Sequence, residues 1–172
     1  MSIPIVSIVG KSDSGKTTLL EKLISELVKR RWRVATIKHN LHGFNIDHEG
    51  KDSWRHKKAG ASTTVVYSPR QLALIQDIDK DYTFADIRDN YIRNIDIILT
   101  EGYKDNPFPK IEVFRKEMKH DLLFTKKDNL LAVAANTKFS IDVPCFDIND
   151  AKGIADLIEN KFLKNTPKEN NV

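Results

Sequence analysis

Residues Gly10-Lys11-Ser12-Asp13-Ser14-Gly15-Lys16-Thr17 spell the pattern G-x-x-x-x-G-K-[ST]. An apolar, β-branched run, Ile3 to Val9, leads into it. After it, Leu19, Leu20, Leu23, Ile24, Leu27 and Val28 recur at helical spacing. A buried strand, a glycine-bounded loop and an amphipathic helix in this order form the first unit of a parallel crossover sheet. Lys29, Arg30 and Arg31 crowd the end of the helix, where positive charge complements its dipole.

The loop has a definite chemistry. Gly10 and Gly15 let the backbone curl without Cβ clashes. The N–H groups of residues 10–18 then point inward, at the positive end of the following helix, and suit a phosphate chain. Lys16 is placed to put its ammonium on the terminal phosphates, and is the first expected catalytic residue. Thr17 is at the position that ligates Mg²⁺, and Thr18 is placed for the α-phosphate. Gly10, Lys11, Ser12, Asp13, Ser14, Gly15, Lys16, Thr17 and Thr18 are therefore the expected nucleotide-binding set. Lys11 admits two readings. It is a solvated lysine, or it reaches the phosphates of a neighbouring subunit, as a lysine at this position does in variant loops of some dimeric ATPases.

The rest of the chain continues the alternation. Strands are expected at Val34 to Lys38, Ile95 to Thr100 and Leu130 to Ala135. Lys110 to Arg115 alternates in polarity and reads as an edge strand. Thr63 to Tyr67 and Leu72 to Gln76, joined around Ser68-Pro69-Arg70, read as an inserted hairpin. Short helices are expected after Asp52 or Ser53, after Thr83, and after Asn149 or Asp150. In the last, Ile154, Leu157, Ile158 and Phe162 share a face. The fold class is α/β: a mostly parallel P-loop NTPase sheet flanked by helices on both faces, with an inserted β-hairpin. Residues 1–164 are expected to form one domain and 165–172 a disordered polar tail.

A Mg²⁺ on nucleotide phosphates needs carboxylate partners, and ligands of a parallel sheet gather beyond the carboxyl ends of its strands. Glu101 lies at that end of the Ile95–Thr100 strand and Asp96 at the other. Glu101 is the expected magnesium partner beside Thr17. Asp47, after the second strand, is the second expected catalytic residue, to hold a magnesium-bound water or orient an attacking one. Asp52 is explained by helix capping. His39, His42 and His48 match no zinc spacing. Lys38, His39, His42, Lys104 and Arg115 are expected to form a second anion site beside the nucleotide.

Composition narrows the class. The chain has 172 residues, 30% charged, with a net charge of +4, which fits anionic small ligands at least as well as nucleic acid. Nothing has the dense basic and aromatic interleaving of a nucleic-acid module. The longest apolar run, Leu130 to Ala135, is far short of the ~18 residues that cross a bilayer. No basic and apolar leader pattern opens the chain, so a cytoplasmic location is expected. The single cysteine, Cys145, excludes an internal disulfide framework. Base identity stays open: the nearest segment to an N-K-x-D element, Asn136-Thr137-Lys138-Phe139, lacks its spacing and its aspartate.

Taken together, the residues resemble the molybdopterin-guanine dinucleotide biosynthesis protein B family, MobB. The resemblance rests on the phosphate loop and on Ile37-Lys38-His39 with His42 and Asp47. It also rests on Gly50-Lys51-Asp52-Ser53 with Lys58-Ala59-Gly60-Ala61, and on Leu99-Thr100-Glu101-Gly102-Tyr103-Lys104 with Lys110, Ile111 and Arg115. Asp147-Ile148-Asn149-Asp150 before the last helix completes it. Leu41 stands where a second histidine is often seen, and Tyr103 where phenylalanine is common. The resemblance implies a homodimeric, GTP-binding adaptor of weak GTPase activity, with GTP and Mg²⁺ as cofactors. It implies a role in molybdenum cofactor biosynthesis beside the molybdopterin guanylyltransferase, with no nucleic acid or membrane partner. Two other readings suit the same loop: a P-loop kinase acting on a small molecule, and a non-enzymatic scaffold stabilised by nucleotide.

Overall fold

The computed structural model describes residues 2–40 and 42–164. Met1, Leu41 and residues 165–172, the segment expected to be a disordered tail, lie outside the described residues. Two compact units make up the fold: residues 1–39 with 88–172, and residues 40–87.

The first unit is built on a six-stranded sheet. Its strands are β1 (Ile5–Val9), β2 (Val34–Lys38), β5 (Ile97–Glu101), β6 (Lys110–Phe114), β7 (Leu130–Ala135) and β8 (Cys145–Asp147), in the order β2-β5-β1-β6-β7-β8. Every pairing is parallel. Helices α1 (Lys16–Lys29) and α4 (Ala151–Ile158) share one apolar cluster with Val6, Ile8, Ile97, Leu99, Ile111 and Val113. Leu19, Leu20, Leu23 and Leu27 are the buried stripe of α1. Val28, expected in that stripe, is 54% exposed: it lies a residue past Leu27, and the helix has turned its side chain out. Arg30, at the C-terminus of α1, bridges to Glu26 at 2.9 Å, Asp156 at 2.6 Å and Glu159 at 2.9 Å, which ties α1 to α4 and its continuation. Asp150 caps α4 by accepting from Gly153 N at 2.9 Å.

The opposite face holds a second cluster: Phe114, Leu130, Val133 and Ala135, with Leu122, Phe124, Phe139 and Val143 against it. Here one expectation is corrected. Residues 110–114 are not an edge strand; β6 lies between β1 and β7 and is buried throughout. Its alternation misled because Lys110 and Glu112 point into the protein and are satisfied by backbone. Lys110 Nζ donates to the carbonyls of Asn106, Phe108 and Asp128. Glu112 accepts from Leu123 N at 2.8 Å and Phe124 N at 3.1 Å. The charged pair thus pins two loops, 104–109 and 121–128, to the sheet. The true edge on this side is β8, a three-residue strand too short to read from periodicity.

The second unit contains α2 (Asp52–Lys58) and an antiparallel hairpin, β3 (Thr63–Ser68) with β4 (Gln71–Gln76). Asp52 does not cap α2: it is the first helical residue, and Lys51 occupies the cap position without a side-chain bond. In the hairpin, Val65 opposes Leu74 and Tyr67 opposes Leu72, and all four are exposed. Thr83 caps α3 (Phe84–Tyr91), accepting from Asp86 N at 3.1 Å, while Asp86 accepts from Thr83 N at 2.9 Å. No helix among the described residues is long and apolar enough to cross a membrane.

Candidate functional site

The loop between β1 and α1 carries positive φ at Gly10 (144°), Asp13 (60°) and Gly15 (98°). Positive φ at intervals along a short loop lets backbone N–H groups turn to one side, as in an anion nest. Gly10 has no substitute. A Cβ there would lie 2.5 Å from the Val113 carbonyl and 2.9 Å from Ser14 Oγ. That Ser14 hydroxyl is buried and has no hydrogen-bond partner, so the cradle already contains an unsatisfied polar atom. An open concavity of about 540 Å³ is lined by Ser12, Asp13, Gly15, Lys16, Thr17, Thr18 and Glu101, a volume that suits a small-molecule ligand.

Lys16 Nζ donates to the Lys11 carbonyl at 2.6 Å. Burial pushes its pKa down, and the charges of Lys104 and Lys38 add to this; Glu101 and Asp13 oppose it. A lysine held in a field of like charge is primed to meet a polyanion. Thr17 Oγ1 donates to Glu101 Oε1 at 2.9 Å. The expected metal pair is therefore already in contact, at the carboxyl end of β5. Hydroxyl and carboxylate oxygens are the hard donors that Mg²⁺ takes beside substrate phosphates, so the donor set fits that ion.

The remaining expected residues divide between the units. Lys38 and His39 follow each other at the end of β2, next to β5 in the sheet. His39 N donates to the Glu101 carbonyl at 3.1 Å, and its ring meets Tyr103 at 4.8 Å between centroids. Gly102 has φ 106°, and a Cβ on it would lie 2.8 Å from the His39 carbonyl. The Glu101-Gly102-Tyr103 and Lys38-His39 segments are thus one packed corner. Arg115 Nε donates to the Ser14 carbonyl at 2.9 Å, bracing the phosphate loop from the end of β6. His42 and Asp47 belong to the second unit. There, Asp47 Oδ1 accepts from His48 N at 2.8 Å, and Oδ2 is buried without a partner.

A larger cavity of about 740 Å³ lies in the first unit against Leu122, Phe124, Leu130, Phe139, Ile141 and Val143. Its lining is chiefly apolar and contains neither the nest nor Glu101, so it is not the phosphate site. Sequence reasoning missed the pairing of Glu117 with Asn136. Both oxygens of Glu117 accept from Asn136 Nδ2 at 2.7 Å, at the ends of β6 and β7. No local motif announces the pair, since nineteen residues separate its members.

Residues 5–136 match the family model described as MobB, molybdopterin guanine dinucleotide synthesis protein B. The chain belongs to the MobB family. A molybdopterin-guanine dinucleotide biosynthesis adapter protein of Haemophilus influenzae is 43% identical over 159 residues, covering 92% of this chain and 89% of that protein. Its Escherichia coli counterpart is 37% identical over 163 residues, covering 91% of each. The crystal structure of Bacillus subtilis MobB superposes with a TM-score of 0.74 at 29% identity, covering 93% of this chain and 98% of that one. The phosphate loop, Glu101 and Arg115 all lie within the span that the MobB model matches.

Proposed function

We propose that this MobB-family chain is an adapter in molybdopterin guanine dinucleotide biosynthesis that binds GTP with Mg²⁺ and hydrolyses it slowly. The observation that carries this reading is the Thr17–Glu101 contact beside Lys16 and the nest. The adapter names of the H. influenzae and E. coli relatives support the pathway.

Each residue has a task in this reading. The nest and Lys16 bind the phosphate chain. Thr17 and Glu101 hold the ion, whose chemistry is to neutralise charge developing on the phosphates. Arg115 keeps the loop in its binding shape through the Ser14 carbonyl. Lys38, His39, Lys104 and Arg115 add positive potential for a second anionic group. No arginine finger or water-positioning glutamine is readable in the sequence, and such groups raise hydrolysis by about 10³–10⁵, so turnover is slow.

The adapter works as a homodimer that contacts the molybdopterin guanylyltransferase in the cytoplasm. One side of the hairpin exposes Val65, Tyr67, Leu72 and Leu74, and a two-stranded hairpin alone is marginal in water, which supports an association surface there. The test is incubation of the protein with GTP and the guanylyltransferase, with phosphate release and complex formation measured together. Slow release to water with GTP-dependent complex formation is expected. Stoichiometric phosphate transfer to a small acceptor would replace the adapter by a kinase. A complex that forms without any turnover would leave a nucleotide-stabilised scaffold.

A further inference from the structure

A chain of buried hydroxyl and amide groups crosses the sheet beside Glu101. Thr100, the residue before it on β5, pairs in register with Ser7 of β1, and both are buried. Thr100 Oγ1 donates to Ser7 Oγ at 2.9 Å. Ser7 Oγ donates in turn to Asn106 Oδ1 at 3.2 Å. The same oxygen accepts from Phe108 N at 2.9 Å, and Asn106 Nδ2 donates to the Tyr103 carbonyl. The amide can face only one way: turned over, its NH₂ would meet the Phe108 N–H, donor against donor. Asn106 is itself buried, and its backbone carbonyl accepts from Lys110 Nζ.

Glu101 stands between the two segments that this chain ties down. Thr100, before it, is linked through Ser7 to Asn106 Oδ1. Tyr103, after it, is linked to Asn106 Nδ2. One buried side chain therefore grips both flanks of the carboxylate that meets Thr17 at 2.9 Å. Gly102 leaves the strand at φ 106°, and glycine alone does not hold one conformation, so the bond to the Tyr103 carbonyl fixes the exit direction. Stability does not demand such a chain, because replacing both partners of a buried hydrogen bond by apolar groups of the same shape is nearly neutral. Directed bonds add orientation. A Mg²⁺ site needs it, since the ion takes near-octahedral ligands at about 2.0–2.1 Å.

We propose that Asn106 is a positioning residue that aims the Glu101 carboxylate at Thr17 and so sets the strength of the Mg²⁺ site. This rests on the nucleotide-binding reading above. Asn106 acts through Thr100 and Tyr103, and its loss leaves the nest and Lys16 in place. GTP without metal then binds as before, while the contribution of Mg²⁺ shrinks. Asn106→Asp keeps the size of the side chain but sets an oxygen against the Tyr103 carbonyl, acceptor against acceptor. Asn129 supplies the comparison. Its Nδ2 donates to the Pro107 carbonyl at 2.9 Å, so it holds the same loop without touching either flank of Glu101. Its φ is 64°, which glycine adopts without strain, so Asn129→Gly removes that bond alone.

The experiment is calorimetric titration of GTP, with and without Mg²⁺, into wild type, Asn106→Asp, Ser7→Ala and Asn129→Gly. Wild type is expected to bind GTP more tightly with Mg²⁺ than without. In Asn106→Asp the ratio of the two affinities should fall about five- to tenfold, the effect of one lost hydrogen bond, while the Mg²⁺-free affinity stays at the wild-type value. Ser7→Ala cuts the link to Thr100 and should lower the ratio in the same direction; it serves if Asn106→Asp does not fold. Asn129→Gly should keep the wild-type ratio, which a role of Asn106 in loop folding alone would not predict. A wild-type ratio kept by Asn106→Asp, or by Ser7→Ala in its stead, overturns this proposal and leaves the Mg²⁺–GTP reading intact. An equal fall in Asn129→Gly does the same. A wild type whose GTP binding gains nothing from Mg²⁺ overturns both.

Discussion

The ammonium of Lys16 rests on the carbonyl of Lys11, 2.6 Å away, within the loop it would use to grip phosphate. The contact stores the cation inside the nest, at a partly buried position where Lys38 and Lys104 repel it. Lys16→Ala should therefore remove nucleotide binding, by at least a hundredfold, while leaving the fold in place. Thermal unfolding with and without Mg²⁺–GTP checks this: the ligand-dependent rise in Tm is expected in wild type and absent in the variant. Because burial lowers the Lys16 pKa, raising the pH should neutralise it earlier than an ordinary lysine. Affinity for GTP should fall as pH climbs toward the ordinary lysine range, a fall that Lys16→Arg does not show.

Gly102 and the His39 carbonyl leave no room for a side chain. Gly102→Ala should cost about 1–3 kcal/mol through the strained φ alone. Because the residue follows Glu101, the Mg²⁺ enhancement of GTP binding should drop with it. Denaturant unfolding gives the first number, and titration with and without Mg²⁺ the second.

Arg115 braces Ser14 from below the loop. Arg115→Ala should weaken GTP about tenfold, equivalent to about 1.4 kcal/mol, by loosening the nest. Leu23→Ala separates packing from binding. It empties a fully buried position of the α1 stripe and should cost about 2–5 kcal/mol of stability. Its GTP affinity, measured well below its Tm, should stay near wild type.

Glu112 is buried under Leu123 and Phe124, and burial pushes its pKa up despite those bonds. A folded-state pKa above the unfolded value means that the native state holds the proton longer. The stability this group contributes is full below the unfolded pKa, near 4.5, and is lost as pH rises through the higher folded value. Glu112→Gln does not titrate. The Tm of wild type minus that of the variant should therefore fall as pH rises from 4 to 7.

The phosphate loop and β7 were readable because a motif marks the first and an unbroken apolar run the second. β6 was not, because Lys110 and Glu112 imitate the polar face of an edge strand while their charges are met by carbonyls and amides of the loops on either side of it. β8 spans only three residues and has no periodicity to detect. The position of Glu101 at the end of β5 was legible from the strand pattern. The pairing of Glu117 with Asn136 was not, because its two members come from separate strand ends. Gly102 shows why a short sequence signature exists at all: its lack of a side chain lets β2 and β5 close the corner that holds Glu101.

The most direct test of the central claim is calorimetric titration of GTP with and without Mg²⁺ into wild type and Glu101→Ala. The Thr17–Glu101 pair predicts that Mg²⁺ strengthens GTP binding at least tenfold in wild type and has little effect in the variant. Equal Mg²⁺ enhancement in both proteins, or no GTP binding by wild type, would contradict it.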